Sequence, residues 1–163
     1  MRPFPLADAA EAGDEGRVHE LLQRDPGALN EPRDDGWTPL HLAAFYGRAG
    51  VARLLLRHHA DANAVSTNAM ANRPLHAAVA GRHASLVELL LRHGADPDAA
   101  QHGGWTPLQG AAQHGDIAII QALLAHGADP TARSDDGRNA SDLALAAGHG
   151  EVVELLSRAD RRE

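Results

Sequence analysis

Apolar residues recur along the chain in short blocks with helical spacing. Leu40, Ala43 and Ala44 mark one narrow face built of small side chains. Val51, Leu54 and Leu55 mark a second face, and Ile117, Ile120, Leu123 and Leu124 repeat it at three- and four-residue intervals, the period of an amphipathic helix. Start and stop signals frame these blocks. Thr38 and Thr106 are good N-cap residues, each followed by a proline at the first helical position, where no N–H bond is lost. Gly47, Gly115 and Gly148 supply the turn that ends the first helix, and Gly94 and Gly127 stop the second. The pattern predicts helix–turn–helix pairs.

Three passages read alike: they open at Asp34, Ala71 and Gly103, and the period is near 33, since Pro74 to Pro107 is 33 residues and Pro39 to Pro74 is 35. A weaker copy begins at Asp135, and counting 34 back from Pro39 reaches Pro5 in a degenerate first copy. Thr38-Pro39-Leu40-His41 recurs as Arg73-Pro74-Leu75-His76 and Thr106-Pro107-Leu108-Gln109. The units close on His59-Ala60-Asp61, Gly94-Ala95-Asp96 and Gly127-Ala128-Asp129. No single helix pair hides its own stripe, so neighbours must stack to bury it and terminal units need polar outer faces. Asp8, Glu11, Asp14 and Glu15 at one end, with Ser157, Arg158, Asp160, Arg161, Arg162 and Glu163 at the other, read as such caps of a complete array.

The period and the T-P-L-H-x-A signature resemble the ankyrin repeat over nearly the whole chain. The resemblance implies an all-α solenoid of about five units, a cap, three full repeats and a cap, joined by β-hairpin-like loops. Approximate units are 1–33, 34–68, 69–101, 102–134 and 135–163, in one domain. It also implies that His41 and His76 hydrogen-bond near the first turn, and that the hairpin tips and the exposed end of each first helix form a concave binding surface.

The second full unit departs from its sisters. Its connection, Val65 to Asn72, holds two extra residues; Ala71 stands where the others carry Gly36 and Gly104, and Arg73 where they carry Thr. Its hairpin is therefore expected to differ in shape, through drift in a tolerant loop or as a finger remodelled for a partner. Arg82 stands in register with Gly47 and Gly115, and either it or Gly81 must take the left-handed conformation.

Composition narrows the function. The 163 residues are 44% hydrophobic with no apolar run near the roughly 20 needed to span a bilayer, and the start lacks the basic and apolar regions of a signal peptide. A soluble, cytoplasmic protein without membrane association is expected. Cysteine is absent, which removes disulfides, Cys-ligated zinc and thiol nucleophiles. The net charge is −7 and all fifteen basic residues are Arg, so the phosphate attraction that drives nucleic-acid binding is missing. The middle of the chain holds nine of the eleven histidines and would turn cationic below about pH 6.5 at their reference value.

Catalytic and metal motifs are not apparent. His58, His93 and His126 occupy equivalent sites in successive repeats, about 8–10 Å apart by helix packing, too far for shared zinc ligation at about 2 Å. The His58-His59 pair is a weak exception. The five serines lie without a legible His–Asp arrangement, and neither Asp-Asp-Gly turn has EF-hand spacing. No cofactor, metal or enzymatic activity is expected.

Aromatics are scarce in this chain of 33 alanines, and four of the five fall on positions the resemblance assigns to the concave face. Trp37, Phe45, Tyr46 and Trp105 are read as partner-binding anchors, large side chains typical of interface hot spots. Asp34, Asp35, Met70, Asn72, His102, Gln113, His114 and Arg138 form the rim. The alternative for each Trp is packing on its own hairpin. The resulting reading is a monomer that recognises a protein partner without catalysis; self-association through the same patch, or an enzyme built on a concave acid–base pair such as His114 with an Asp, are the competing readings.

Overall fold

The computed structural model describes residues 4–161. Ten α-helices follow one another in five helix–turn–helix pairs among the described residues, none of which lies in a strand. The first members are α1 (Pro5–Ala12), α3 (Pro39–Phe45), α5 (Pro74–Ala80), α7 (Pro107–His114) and α9 (Ala140–Ala146). The second members are α2 (Glu15–Arg24), α4 (Ala49–Arg57), α6 (Ala84–Arg92), α8 (Ile117–Ala125) and α10 (Gly150–Asp160). Each inner helix packs on its neighbours in the row α1, α3, α5, α7, α9, and α2, α4, α6 and α8 stack behind them. The expected all-α solenoid is the fold. Arg162 and Glu163, counted as part of the C-terminal cap, lie outside the described residues.

Small inner-helix residues allow close stacking. Ala10, Ala44, Val79 and Ala112 are buried beneath the next repeat. A Cβ on Gly110 would lie 3.3 Å from Val79 Cγ1, so a missing side chain on one repeat makes room for the extra methyls of the other. Leu145 holds the same register in the last repeat and is 70% exposed, since no further inner helix packs on it among the described residues. Side chains pin successive repeats across the same joint. Arg48 Nε donates to the Glu11 carbonyl at 2.9 Å, and the Nε2 atoms of His83 and His149 reach the Phe45 and Gln113 carbonyls at 3.0 and 3.1 Å. At the joint between the third and fourth repeats Asp116 cannot donate, and Arg82 instead grips it with Nε and a terminal nitrogen at 2.8 and 2.9 Å.

The helix starts form the box their sequence announces. The Thr38 and Thr106 side chains accept from the backbone N–H three residues on, at 3.5 and 3.4 Å. In return His41 Nδ1 accepts the Thr38 N–H at 3.3 Å, and Gln109 Oε1 accepts that of Thr106 at 2.8 Å. Since Nδ1 is the acceptor, the His41 proton sits on Nε2, which donates to the Asn72 carbonyl of the next finger at 3.1 Å. His76 repeats this between the Arg73 N–H and the Trp105 carbonyl, at 3.2 and 3.3 Å. Gln109 Nε2 does it with the Arg138 and Ala132 carbonyls, at 2.9 and 3.1 Å. One side chain thus caps its own helix and ties down the next hairpin. Arg73, as its identity implies, makes no side-chain cap.

Left-handed backbone recurs at each turn, including where glycine is missing. Arg82 has φ 61°, close to the 73° of Gly47 and Gly115, while Gly81 is right-handed at −75°. Gly81 is small for another reason: a Cβ there would stand 2.2 Å from the Phe45 carbonyl oxygen. His59 has φ 67° where Gly94 and Gly127 have 83° and 86°, and Ala71 has φ 48° where Gly36 and Gly104 have 85° and 71°.

The hairpin tips are joined to one another by Thr67 N–H to Gly36 O, His102 N–H to Met70 O and Asp135 N–H to Gly103 O. Backbone bonds close three of them over four residues, Arg33 to Trp37, Gln101 to Trp105 and Ser134 to Arg138. The second closes over six, Ser66 to Asn72, so the two extra residues do reshape it.

Candidate functional site

Two open grooves lie between the hairpins and the inner helices. The first, of about 290 Å³, is lined by Arg33, Asp35, Trp37, Leu42, Phe45, Tyr46 and Asn68. Its aromatics touch edge to face: Trp37 and Phe45 centroids lie 5.2 Å apart at 67°, Phe45 and Tyr46 5.1 Å apart at 89°. Trp37 also lies nearly parallel to His41 at 6.0 Å. Tyr46 is 41% exposed, while Trp37 and Phe45 are half-buried and pack on the core. The last two therefore brace the fold as well as edging the groove, which sets the exposed Tyr46 apart as the residue whose loss removes surface without opening the core.

Asp35 is a positioning residue within that finger. Its Oδ1 accepts the Trp37 N–H at 3.0 Å, and its Oδ2 pairs with Arg33 at 2.5 Å. Burial pushes its carboxyl up, but the Arg33 bond, the Trp37 N–H and the Arg33 charge outweigh that and hold it below the usual carboxylate range. Asp34 is exposed at the tip, and its side chain bonds to no described residue.

The second groove, about 230 Å³, lies one repeat further on. Met70 and Trp105 line it from the hairpins, Val79 and Ala80 from α5, and Gly110, Gln113 and His114 from α7. Met70 is 48% exposed; Gln113, His114 and His102 are exposed as well. Trp105 is half-buried, with the Arg138 guanidinium 5.8 Å from its ring centroid. Arg138 is itself held by Asp136, whose carboxyl the Arg138 and Ser134 hydrogen bonds lower to about 2. Asn72 is half-buried and knitted into its finger, its N–H on Ser66 Oγ and its carbonyl under His41; its Oδ1 is buried with no partner among the described residues.

Arg33, Asn68, Val79, Gln101 and Gly110 line these grooves without having been singled out in the sequence. Arg33 was the legible one, a cation beside two acids at a finger base. The histidines scatter as their spacing implies: His58 lies edge-on to His19 at 6.4 Å, and His126 reaches Glu88 at 3.4 Å. No three potential ligands converge among the described residues.

No helix among the described residues is long and apolar enough to cross a membrane. A family model described as ankyrin repeats (3 copies) matches residues 6–101 and again 83–161. Zygote-specific protein 3 of Chlamydomonas reinhardtii is 46% identical over 63 residues, 39% of this chain and 16% of that protein. Ankyrin repeat and SOCS box protein 2 of Rattus norvegicus is 42% identical over 53 residues, 32% of this chain and 8% of the relative. The 2-5A-dependent ribonuclease of Mus musculus is 40% identical over 63 residues, 39% of this chain and 9% of the enzyme. The matched stretches thus cover a small part of these relatives. With the model spanning nearly the whole chain and the helix pairs, boxes and hairpins in place, this protein belongs to the ankyrin repeat family.

Proposed function

We propose that the chain is a non-catalytic recognition module that binds another protein through its concave face, as a cytoplasmic monomer without cofactor, metal, nucleic acid or membrane. The observation that carries the reading is the pair of grooves edged by Tyr46 and Met70, two large exposed side chains that stand beside half-buried Trp37, Phe45 and Trp105. Ankyrin repeats are generally protein-interaction modules, which supports it. Mechanistically, the hydrogen bonds from His41, His76 and Gln109 to the next finger fix the tips before a partner arrives, so little ordering entropy is lost on binding.

The variant Tyr46→Ala/Met70→Ala keeps the core, because both side chains are exposed. We expect it to retain the wild-type melting temperature within about 2 °C and to lose the proteins that wild type captures from native lysate. An unchanged capture profile overturns the concave-face reading. A dilution-dependent shift in size-exclusion chromatography that this variant abolishes transfers the patch to self-association.

A further inference from the structure

One joint of the outer helices lacks the carboxylate that its neighbour has. Between the third and fourth repeats Glu88, the fifth residue of α6, accepts from Arg92 Nε at 2.8 Å and meets Nε2 of His126, the C-cap of α8, at 3.4 Å. The His126 and Arg92 bonds hold its carboxyl below the ordinary carboxylate range. One repeat earlier the same three places belong to Arg53, the fifth residue of α4, to Arg57, its last, and to His93, the C-cap of α6. The guanidinium and the imidazole recur, and a second guanidinium stands where the carboxylate was. Neither Arg53 nor Arg57 has a partner among the described residues. His93 Nδ1 donates to the Leu89 carbonyl at 2.8 Å, so Nε2 is the ring nitrogen left unbonded.

These three side chains line an open groove of about 480 Å³ between α4 and α6, together with Gly50, Leu89 and Glu15 of α2. Glu15 lies over Gly50, in the space a side chain there would fill, one helical turn before Arg53 and two before Arg57. With His93 neutral, the lining sets two guanidiniums against that one carboxylate, an excess of one positive charge. A carboxylate entering the groove regains what Glu88 has one repeat on, because the planar guanidinium matches its two oxygens. A phosphoryl dianion would bring a second negative charge against Glu15, and a cation would meet two of its own kind.

We propose that this groove takes an aspartate or glutamate side chain of a partner protein, so that the outer helices form a second docking surface, for acidic segments. The groove shares no lining residue with the two beside the hairpins, so the proposal does not depend on the concave-face reading.

The test pans a random 12-residue peptide library over the immobilised protein. Enriched peptides are then measured by fluorescence anisotropy on wild type, Arg53→Glu and Tyr46→Ala/Met70→Ala. Arg53→Glu supplies from within the carboxylate that the next joint has, and since Arg53 is exposed the variant keeps the wild-type melting temperature. We expect a class of peptides that carry Asp or Glu and bind Tyr46→Ala/Met70→Ala as tightly as wild type. Arg53→Glu, or replacing the peptide's acid by its amide, should weaken them about tenfold, the worth of one charge-assisted hydrogen bond. Arg57→Gln should weaken them severalfold, and added salt should lower their affinity for wild type. Absence of such a class overturns the inference, and peptides lost only by Tyr46→Ala/Met70→Ala then leave the concave-face reading standing alone. A dilution-dependent elution of wild type that Arg53→Glu abolishes overturns the partner assignment, because the acid would come from a second copy of this chain.

Discussion

Acidification from pH 7 to pH 4 is expected to destabilise this protein by several kcal/mol, through two buried imidazoles. Burial lowers the pKa of His41 and His76 to about 4, against backbone hydrogen bonds from Nε2 to Asn72 and Trp105 that favour the proton. In the unfolded chain each takes its proton near 6.5. Stability is therefore full above pH 6.5, falls as pH drops from 6.5 towards 4, where only the unfolded state is protonated, and levels off below the folded value. The difference corresponds to about 3 kcal/mol for each residue. The physical cost is legible in the geometry: Nδ1 accepts the Thr38 or Arg73 N–H, so a proton there leaves two donors facing each other in the core. Gln109 shows how to remove the effect, because its amide oxygen and nitrogen make the same two links without titrating. Urea midpoints of wild type and His41→Gln/His76→Gln, measured from pH 7.5 to 4.5, should diverge, with the variant nearly flat. A variant that falls as steeply as wild type would place the acid sensitivity elsewhere.

These two residues also set the limit on what the sequence conveys. The helix start at Thr38-Pro39 is a local matter, and so are the glycine stops; the period of 33 then fixes which elements stack. The expectation that the central histidines charge together below pH 6.5 fails for His41 and His76, because their burial comes from the neighbouring repeat, 31 and 29 residues away at Asn72 and Trp105. The same distance hides the character of the two grooves. Trp37 and Tyr46 look alike as aromatic letters at variable positions, yet Trp37 is half-buried against His41 and Phe45 whereas Tyr46 faces outward. Arg33 gathers carboxylates from two repeats, a cluster that spacing along the chain does not reveal.

Register narrowed one left-handed site to Arg82 or Gly81, and the structure places it on Arg82, with His59 and Ala71 as further non-glycine cases, which makes a stabilised protein easy to specify. Arg82→Gly and His59→Gly are each expected to raise stability by about 1 kcal/mol, and the double variant by about 2. A side chain at φ near +60° crowds Cβ against its own carbonyl, a cost of roughly 1–2 kcal/mol that glycine avoids, offset in part by the greater freedom of glycine in the unfolded chain. Arg82 and His59 sit at 61° and 67°, in positions that sister repeats fill with glycine. Arg82 introduces one complication, its bidentate bond to Asp116, but the Arg82 side chain is 60% exposed, and an ion pair open to water on one side contributes little. Arg82→Ala isolates the two effects: it keeps the crowded Cβ and drops the ion pair, so it should leave stability nearly unchanged or slightly lower. His59 lies on an exposed turn, in a position that its sister repeats fill with glycine, so glycine there gives up little buried surface. The two sites belong to different repeats and share no bonded partner, which is why their effects should add. Urea denaturation reads the result directly: a higher midpoint at unchanged slope supports release of strain. A lower midpoint for Arg82→Gly would show that the grip on Asp116 matters more than the backbone, and that this joint between the third and fourth repeats depends on it.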